Sequence, residues 1–451
     1  MKKRNAAAGL LSLSMLFGGP AVSVFAAEPA PVVASQAQNM TRGDFLLLLD
    51  KAIHLPDTAV HSQYKDVPAG SALSKVIDKM RANGVVAGNS TQVRPNEPIT
   101  QVEALAFMSR ALGIPNTALP GSTVELPKLH WAYGTATWLS AAGANIDWKQ
   151  SDRILTAAEG EALLAQLLKT SPEAKQKLEQ SQKAQAAVKS FKMNGTMTMQ
   201  VKLDERKLAS MPSDARKEMD VLDEPFKMKI AAAFSLPDHI KMETEMKLPA
   251  VPGITGDMKM EQYIIGHDMY MKMNMPGMPE NKENPSGWVK APNAFPMDMK
   301  AMMEQQMQGI PPELEKNTFY SLTKDGQLSF KTRINSLKDL MSMVQGMQGM
   351  GDMKAMFDEA DKMVQSIYVQ GTMKLDEKTQ MPVVSNNQIV INFKPQPDMP
   401  LTQMIMTQDL TYSDYNADVK IELPTEAKNA QVVPMTGEKT ATESGTKSAT
   451  K

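Results

Sequence analysis

Two periodicities of apolar residues divide the chain. Up to about residue 190, apolar side chains recur every third or fourth position. Examples are Phe45, Leu48, Leu49 and Ala52, then Leu73, Val76, Ile77 and Met80, then Leu105, Met108 and Leu112. That spacing predicts amphipathic helices. From Ser190 onward the period changes to two. Met197, Met199 and Val201 alternate with Thr196, Thr198 and Gln200, the pattern of a half-buried strand. The alternation predicts strands near 192–204, 226–235, 239–248, 257–265, 268–275, 286–290, 318–323, 327–333, 366–375, 382–393, 402–413 and 416–423. Helical stretches are expected near 171–190, 297–308, 335–346 and 352–364. Short turns such as Leu236-Pro237-Asp238 and Lys324-Asp325-Gly326 join the strands as antiparallel hairpins. A sheet that long must curl, and its apolar face must be covered, with the helices as the available cover.

One local pattern occurs three times in the first part: TRGDFLLLLDKAI from Thr41, TQVEALAFMSRAL from Thr100 and TAAEGEALLAQLL from Thr156. Each copy is a Thr, an acid three positions later, then an amphipathic run. The physics is that of a capping box, in which the Thr oxygen accepts a backbone N–H and the acid reaches back to the N–H of the Thr. A period of fifty-odd residues marks an internal repeat. Asn83-Gly84 ends the helix that precedes the second copy.

Tyr64-Lys65-Asp66-Val67, Gly84-Val85-Val86-Ala87-Gly88 and Val93-Arg94-Pro95-Asn96-Glu97-Pro98-Ile99-Thr100 resemble the S-layer homology (SLH) repeat; Trp131-Ala132 is what the third copy keeps. The resemblance covers residues 39–170. It implies an all-α pseudo-threefold spindle that binds secondary cell-wall polysaccharide without a covalent bond. The arginine after the capping Thr would meet an anionic sugar, because a guanidinium matches a carboxylate bidentately. Only Arg42 keeps that arginine; Gln101 and Ala157 replace it in the other copies. The residues the resemblance places at the polymer are Arg42, Asp44, Glu103 and Trp131. The capping box alone already accounts for the acids Asp44, Glu103 and Glu159.

The second part is similar to the LolA/LppX-type carrier fold. It opens with a helix running into VKSFKMNGTMTMQVKL, carries Trp288-Val289-Lys290, and ends with the hairpin GTMKLDEKTQMPVV. That resemblance covers 171–425. It implies an α+β domain, a half-barrel of curled antiparallel sheet closed by helices around an apolar cavity that takes an acyl chain or another greasy ligand. No ligand-specific residue carries over.

Composition sharpens this picture at one point. The chain has 38 Met and no Cys, and 33 of the Met lie from Met193 onward. In MYMKMNMPGMP, residues Met269, Met271, Met273 and Met275 share one strand face. Thioethers suit Cu(I), and a methionine surface can also act as an oxidation buffer. Yet every strand of this part uses Met where others use Val or Ile, so the cluster barely stands out from its background. Met is flexible and polarizable, which suits a surface that adapts to varied partners. The expected cavity lining is Met197, Met199, Met269, Met271, Met273 and Met275. In MVQGMQGMGDMKAM, Gly346, Gly349 and Gly351 each cost about 1 kcal/mol of helix stability relative to Ala. That segment is expected to form two short helices with a hinge, either a movable lid or a loosely packed cover.

The remaining features bound the function. Residues 1–26 read as a secretory signal peptide, with Lys2, Lys3 and Arg4 before an apolar run and Val24-Phe25-Ala26 at the cleavage site; residues 27–38 form a linker. The implied localisation is a secreted protein at the wall or S-layer of a Gram-positive-type envelope. With 49 basic and 50 acidic residues there is no electrostatic case for nucleic acid, and no stretch after the signal is long and apolar enough to span a membrane. Zero Cys excludes disulfides, Cys-based metal sites and a thiol nucleophile. No nucleophile elbow, phosphate loop or metal-spaced His pair is present, so a non-enzymatic protein without a cofactor is expected. Residues 426–451 are small and polar and are expected to be a disordered tail. The alternatives to an apolar-ligand binder are a structural S-layer or adhesion protein with a solid sheet core, and a Cu(I)-binding Met-rich protein.

Overall fold

A computed structural model describes residues 38–433, apart from 60–63, 87–90, 248–256, 295–311, 342–357, 397–398 and parts of 214–223 and 275–285. The expected signal peptide, the 297–308 helix, the Gly-interrupted hinge and Met275 lie outside the described residues.

The first region is helical: α1 (Arg42–Ala52), α2 (Ala72–Ala82), α3 (Gln101–Leu112), α4 (Tyr133–Ala141) and α5 (Ala157–Leu168). Each of the three capped helices starts at its expected Thr. Full capping boxes form at Thr100/Glu103 and Thr156/Glu159. At Thr41 the hydroxyl accepts the Asp44 N–H, but the carboxylate bonds the Thr41 hydroxyl at 2.6 Å instead of reaching the Thr41 N–H. Asp is one methylene shorter than Glu, and the reach back fails. The segments before the caps are tied in a ring: Met40 N–H donates to Leu155 O, Leu155 N–H to Ile99 O, and Ile99 N–H to Met40 O. Inside this frame Phe45, Leu46, Leu49, Ile77, Met80, Leu105, Met108, Trp138 and Leu167 form one buried core.

Helix α6 (Pro172–Gln185) leads into the sheet. It starts on a Ser171 cap with Pro at the first helical position. The strands are β1 (Ser190–Leu203), β2 (Phe226–Ser235), β3 (His239–Lys247), β4 (Asp257–Ile265), β5 (Asp268–Asn274), β6 (Trp288–Ala291), β7 (Thr318–Leu322), β8 (Leu328–Ile334), β9 (Val364–Leu375), β10 (Pro382–Phe393), β11 (Leu401–Ser413) and β12 (Gln431–Val432). Short helices α7 (Glu205–Ser210), α8 (Pro312–Glu315) and α9 (Leu337–Met341) lie between them. All twelve strands form one open sheet in the order β12-β6-β5-β4-β3-β2-β1-β11-β10-β9-β8-β7. Every pairing is antiparallel except β12 with β6, so the sheet is mixed rather than purely antiparallel. The edge strand β7 is itself engaged, since Ser171 N–H donates to Tyr320 O and Tyr320 N–H to Thr170 Oγ1.

Two expectations need correction. Residues 416–423 form no strand. Asn416 sits in a left-handed turn, and its side chain accepts the Lys189 N–H. Beyond it, Ile421 and Leu423 pack on Tyr263 and Trp288. The chain is also ordered past residue 426. Ala427 is fully buried in the same cluster, and β12 pairs with β6. A small residue placed where it can fill a gap beside two aromatic rings outweighs the polar composition around it.

Candidate functional site

Cross-strand register assigns each side chain to one of two faces. On the inner face, Met199 lies opposite Met406, Met406 opposite Ile389, and Ile389 opposite Val369. In the other direction Met197 faces Met228, Met228 faces Met246, and Met246 faces Met258. Likewise Ile264 faces Met269, Gln262 faces Met271 and Met260 faces Met273. The inner-face positions of β1–β5 are Met, Ile, Phe, Val, Leu, Ala, Gly, Thr and Gln; none is charged. The apolar alternation of single strands thus adds up to one continuous surface.

The cover over this surface is uneven. Over β8–β11, Ile334, Ile367, Val369, Ile389, Ile391, Met404 and Met406 are buried together with Leu314 of α8, Leu337 of α9 and Ala360 of helical residues 358–363. At the far edge, Ala174 and Leu178 of α6 pack on Tyr320, Leu328 and Met373. Phe330 lies across Gly371: a Cβ there would sit 2.4 Å from Asn387 Oδ1 and 2.7 Å from the ring, so glycine is required. On β2–β5 the same face is looser. Met242, Met246, Met258, Met260, Met269 and Met271 are half-buried and Met273 is 47 % exposed. Of the expected lining residues, Met197 and Met199 are buried, Met269 and Met271 half-buried, and Met273 exposed at the rim. The Met269 sulfur accepts from Gln262 Nε2 at 2.9 Å. Thr244 is a polar exception: it is 8 % exposed, and its hydroxyl has no hydrogen-bond partner among the described residues.

The outer face is polar, and its two ends are covered differently. Over β4–β6 lie Ile421, Leu423, Ala427 and Ala430 on Tyr263 and Trp288. Lysines stack on these rings, Lys241 over Tyr263, Lys290 over Tyr270 and Lys272 over Trp288. Burial, with Glu261 as its hydrogen-bond acceptor, pushes the Tyr263 hydroxyl up to about 12. Over β7–β11 the helical region itself is seated. Phe319, Tyr368, Val390 and Ile405 enter its core, and a row of polar side chains meets its backbone. Arg333 donates to Ala111 O (3.0 Å), Asn392 to Gly113 O (2.9 Å), Ser329 to Ala142 O (2.9 Å), and Gln370 to Trp138 O (3.3 Å). Asn317 both accepts from His54 N and donates to His54 O. Most of these carbonyls end helices α3 and α4 or follow α1, where intrahelical partners run out; Trp138 O also accepts the Ala142 N–H. Gly113, at φ 87°, brings α3 within reach; a Cβ there would lie 3.1 Å from Ser366 Oγ. Lys331 is buried in this seam; among the described residues its side chain's one hydrogen-bond contact is a long one to Ser321 Oγ at 3.4 Å, and desolvation lowers its pKa to about 8.

The residues expected at the wall polymer fall in two places. Arg42 and Glu103 meet: Nη1 lies 2.6 Å from Glu103 Oε1, Nε donates to Val93 O, and the guanidinium stacks on Phe107. Arg42 is 11 % exposed. Around this pair stand Arg94, which bridges Glu97 and approaches Glu103, and Arg110, whose pKa is lowered by burial and then by Arg42. The repeat motif marks Arg42 and Glu103 one by one; that they meet, with Arg94 and Arg110 beside them, has no local pattern, because the group is spread over residues 42 to 110. Asp44 is exposed at the start of α1, close in sequence to Arg42 but bonded to its own cap. Trp131 stands apart, 49 % exposed and stacked on His130. Gln101, which replaces the repeat arginine, is buried and donates to Asp147 O. Arg153 pairs with Glu159; the Thr156 N–H and this arginine hold that carboxyl below its usual range.

A helical region whose capped helices close in a ring, joined to a twelve-stranded open sheet with an uncharged inner face, defines a two-part protein. Comparison with known proteins agrees with that division. The S-layer homology domain matches residues 63–105. A family of unknown function, DUF6612, matches residues 173–432. That match spans more than half of the chain, and the chain belongs to this family. No curated protein matches it. Solved structures similar over the sheet part include LprF from Mycobacterium bovis, at 16 % identity over 57 % of this chain and 99 % of that one, with a TM-score of 0.28. A LolA superfamily protein from Nitrosomonas europaea matches at 10 % identity over 56 % and 94 %, with a TM-score of 0.16. Among the described residues no helix is long and apolar enough to cross a membrane.

Proposed function

We propose that this protein is secreted, is held at the cell wall through its helical region, and binds an apolar, lipid-like ligand on the inner face of a half-barrel. The observation that carries the reading is the uncharged methionine face: buried under helices over β8–β11, and half-buried over β2–β5. A surface built only for structural packing gains most from shape-specific Ile, Leu and Val. Met at Met242, Met246, Met258, Met260, Met269 and Met271 instead gives a lining that reshapes around chains of different form. Binding of this kind needs no reacting group, so the chain acts as a carrier or receptor and not as an enzyme. The wall end is residues 39–170, the ligand end 171–433. The S-layer homology match supports noncovalent attachment to wall polysaccharide, with Trp131 offering an exposed ring to a sugar and Arg42 competing between Glu103 and an anionic group.

The test uses the full secreted chain purified without detergent. Titration with a fluorescent fatty-acid analogue should saturate, and Met269→Gln together with Met271→Gln should weaken it. Pelleting with purified cell wall should be competed by free wall polysaccharide. A probe that never saturates, with no change on substitution, overturns the ligand reading and leaves a surface scaffold with a solid core.

A further inference from the structure

The lysines of the outer face are not distributed evenly between the two ends of the strands. At the end where β1 begins, they are neutralised. Lys192 pairs with Asp414 (2.8 Å), Lys241 with Glu243 (2.6 Å) and Lys290 with Asp268 (2.6 Å). At the opposite end of β2–β4, Lys227, Lys247 and Lys259 are exposed and have no ion-pair partner among the described residues. The register even sets Lys227 directly opposite Lys247. Like charges in that position destabilise a sheet, so folding does not account for the pair. The carboxylates on the outer face at this end of β2–β4 are Glu245, which Lys229 holds at 3.6 Å and the register sets opposite Lys259, and Asp257, which the register sets opposite Lys247 and which makes no ion pair among the described residues; four lysines thus share two acids.

The inner face at this same end is apolar. Met228 lies opposite Met246, Met246 opposite Met258, and Met260 opposite Met273. Met246, Met258 and Met260 are half-buried, and Met273 is among the most exposed apolar side chains of the described residues. Among the described residues one rim therefore carries an excess of positive charge outside and exposed methionine inside. The helical region sits elsewhere, on the outer face of β7–β11.

We infer that this rim docks on an anionic lipid bilayer, with Lys227, Lys247 and Lys259 against the head groups and Met246, Met258 and Met273 at the acyl boundary. The inference rests on the reading of the methionine face as a ligand surface, because it gives that face its point of exchange. Charge complementarity alone would also suit an acidic wall polymer. A polymer offers nothing to the methionines on the same rim, whereas a bilayer takes both, since interfacial binding adds buried apolar area to attraction for anionic lipid. Each lysine near an anionic surface contributes about a five-fold factor in affinity, and three together about a hundred-fold.

The experiment is co-sedimentation of the full secreted chain with vesicles of mixed phosphatidylglycerol and phosphatidylcholine, and with vesicles of phosphatidylcholine alone. The expected result is binding to the anionic vesicles only, weakening as salt rises. The triple variant Lys227→Gln, Lys247→Gln, Lys259→Gln should lose about a hundred-fold, while Lys192→Gln at the opposite end keeps wild-type binding. The same samples are titrated with the fatty-acid analogue in the absence of vesicles, which reads the ligand face independently of the rim. Unchanged probe binding by the triple variant alongside lost vesicle binding supports the rim. No vesicle binding by the wild type, or equal binding by wild type and triple variant, overturns it whether or not the probe binds. Loss of wall-polysaccharide binding in the triple variant, with vesicles never bound, also overturns it and assigns the charges to the polymer.

Discussion

Lys331 tests the seam between the helical region and the sheet quantitatively. Its side chain is 1 % exposed, desolvation brings its pKa from 10.5 to about 8, and no carboxylate pairs with it among the described residues. That fall corresponds to about 3 kcal/mol against folding at neutral pH, at about 1.4 kcal/mol for each tenfold change in proton affinity. The sign follows from proton counting. Between about pH 8 and pH 10.5 the unfolded chain still holds the lysine proton and the folded chain has released it. The unfolded state binds more protons there, so this residue makes stability rise with pH across that window, and its penalty is complete below pH 8. Lys331→Met keeps the length of the side chain, removes the charge and, among the described residues, forfeits only a 3.4 Å contact to Ser321. Urea unfolding of the full chain, followed by circular dichroism and tryptophan fluorescence, should show the variant about 2–3 kcal/mol more stable at pH 7. The difference between variant and wild type should shrink toward zero by about pH 10.5. A variant that is less stable at pH 7, or a difference independent of pH, would refute the reasoning and require an unrecognised partner for the ammonium group.

Four further outcomes follow from particular contacts. Arg333→Met removes the donor to Ala111 O and should cost about 1–3 kcal/mol, with the helical region and sheet losing stability together in a single denaturation transition. Thr244→Val replaces a buried hydroxyl that has no partner among the described residues; it should raise stability by about 1 kcal/mol in thermal unfolding and leave affinity for the fatty-acid analogue equal or higher. Trp131→Ala, on an exposed ring, should lower wall pelleting with an unchanged melting temperature, whereas Arg42→Ala breaks the half-buried pair with Glu103 and should lower the melting temperature as well.

The strands and the capped helices were legible because each is written in a local pattern. Alternation at Met197, Met199 and Val201 fixes which side of β1 faces inward, and Thr100 with Glu103 fixes where α3 begins. The seam was not legible for the same reason. Ser329, Lys331, Arg333, Gln370 and Asn392 occupy the polar positions of their strands, and period two cannot tell water from a neighbouring helix end. Ser329, Arg333, Gln370 and Asn392 are polar because they meet the carbonyls at the ends of α3 and α4, partners 187 to 279 positions away. The segment 421–433 failed similarly. Its few apolar residues serve Tyr263 and Trp288, and a composition average over the tail hides Ala427. At the wall end, the repeat motif located Arg42 and Glu103 separately, and only the fold shows that they neutralise each other.

The seam also decides how the central claim is tested, because cutting the sheet away from residues 39–170 would bare Phe319, Tyr368, Lys331 and Arg333. The whole chain is therefore the sample: secreted by a bacterial host, purified without detergent and measured by native mass spectrometry. An added mass in the lipid range, released by organic extraction and restored by adding the lipid back, is the predicted result. A clean unliganded mass that takes up no lipid would contradict the account and make the methionine face a packed surface of a wall scaffold.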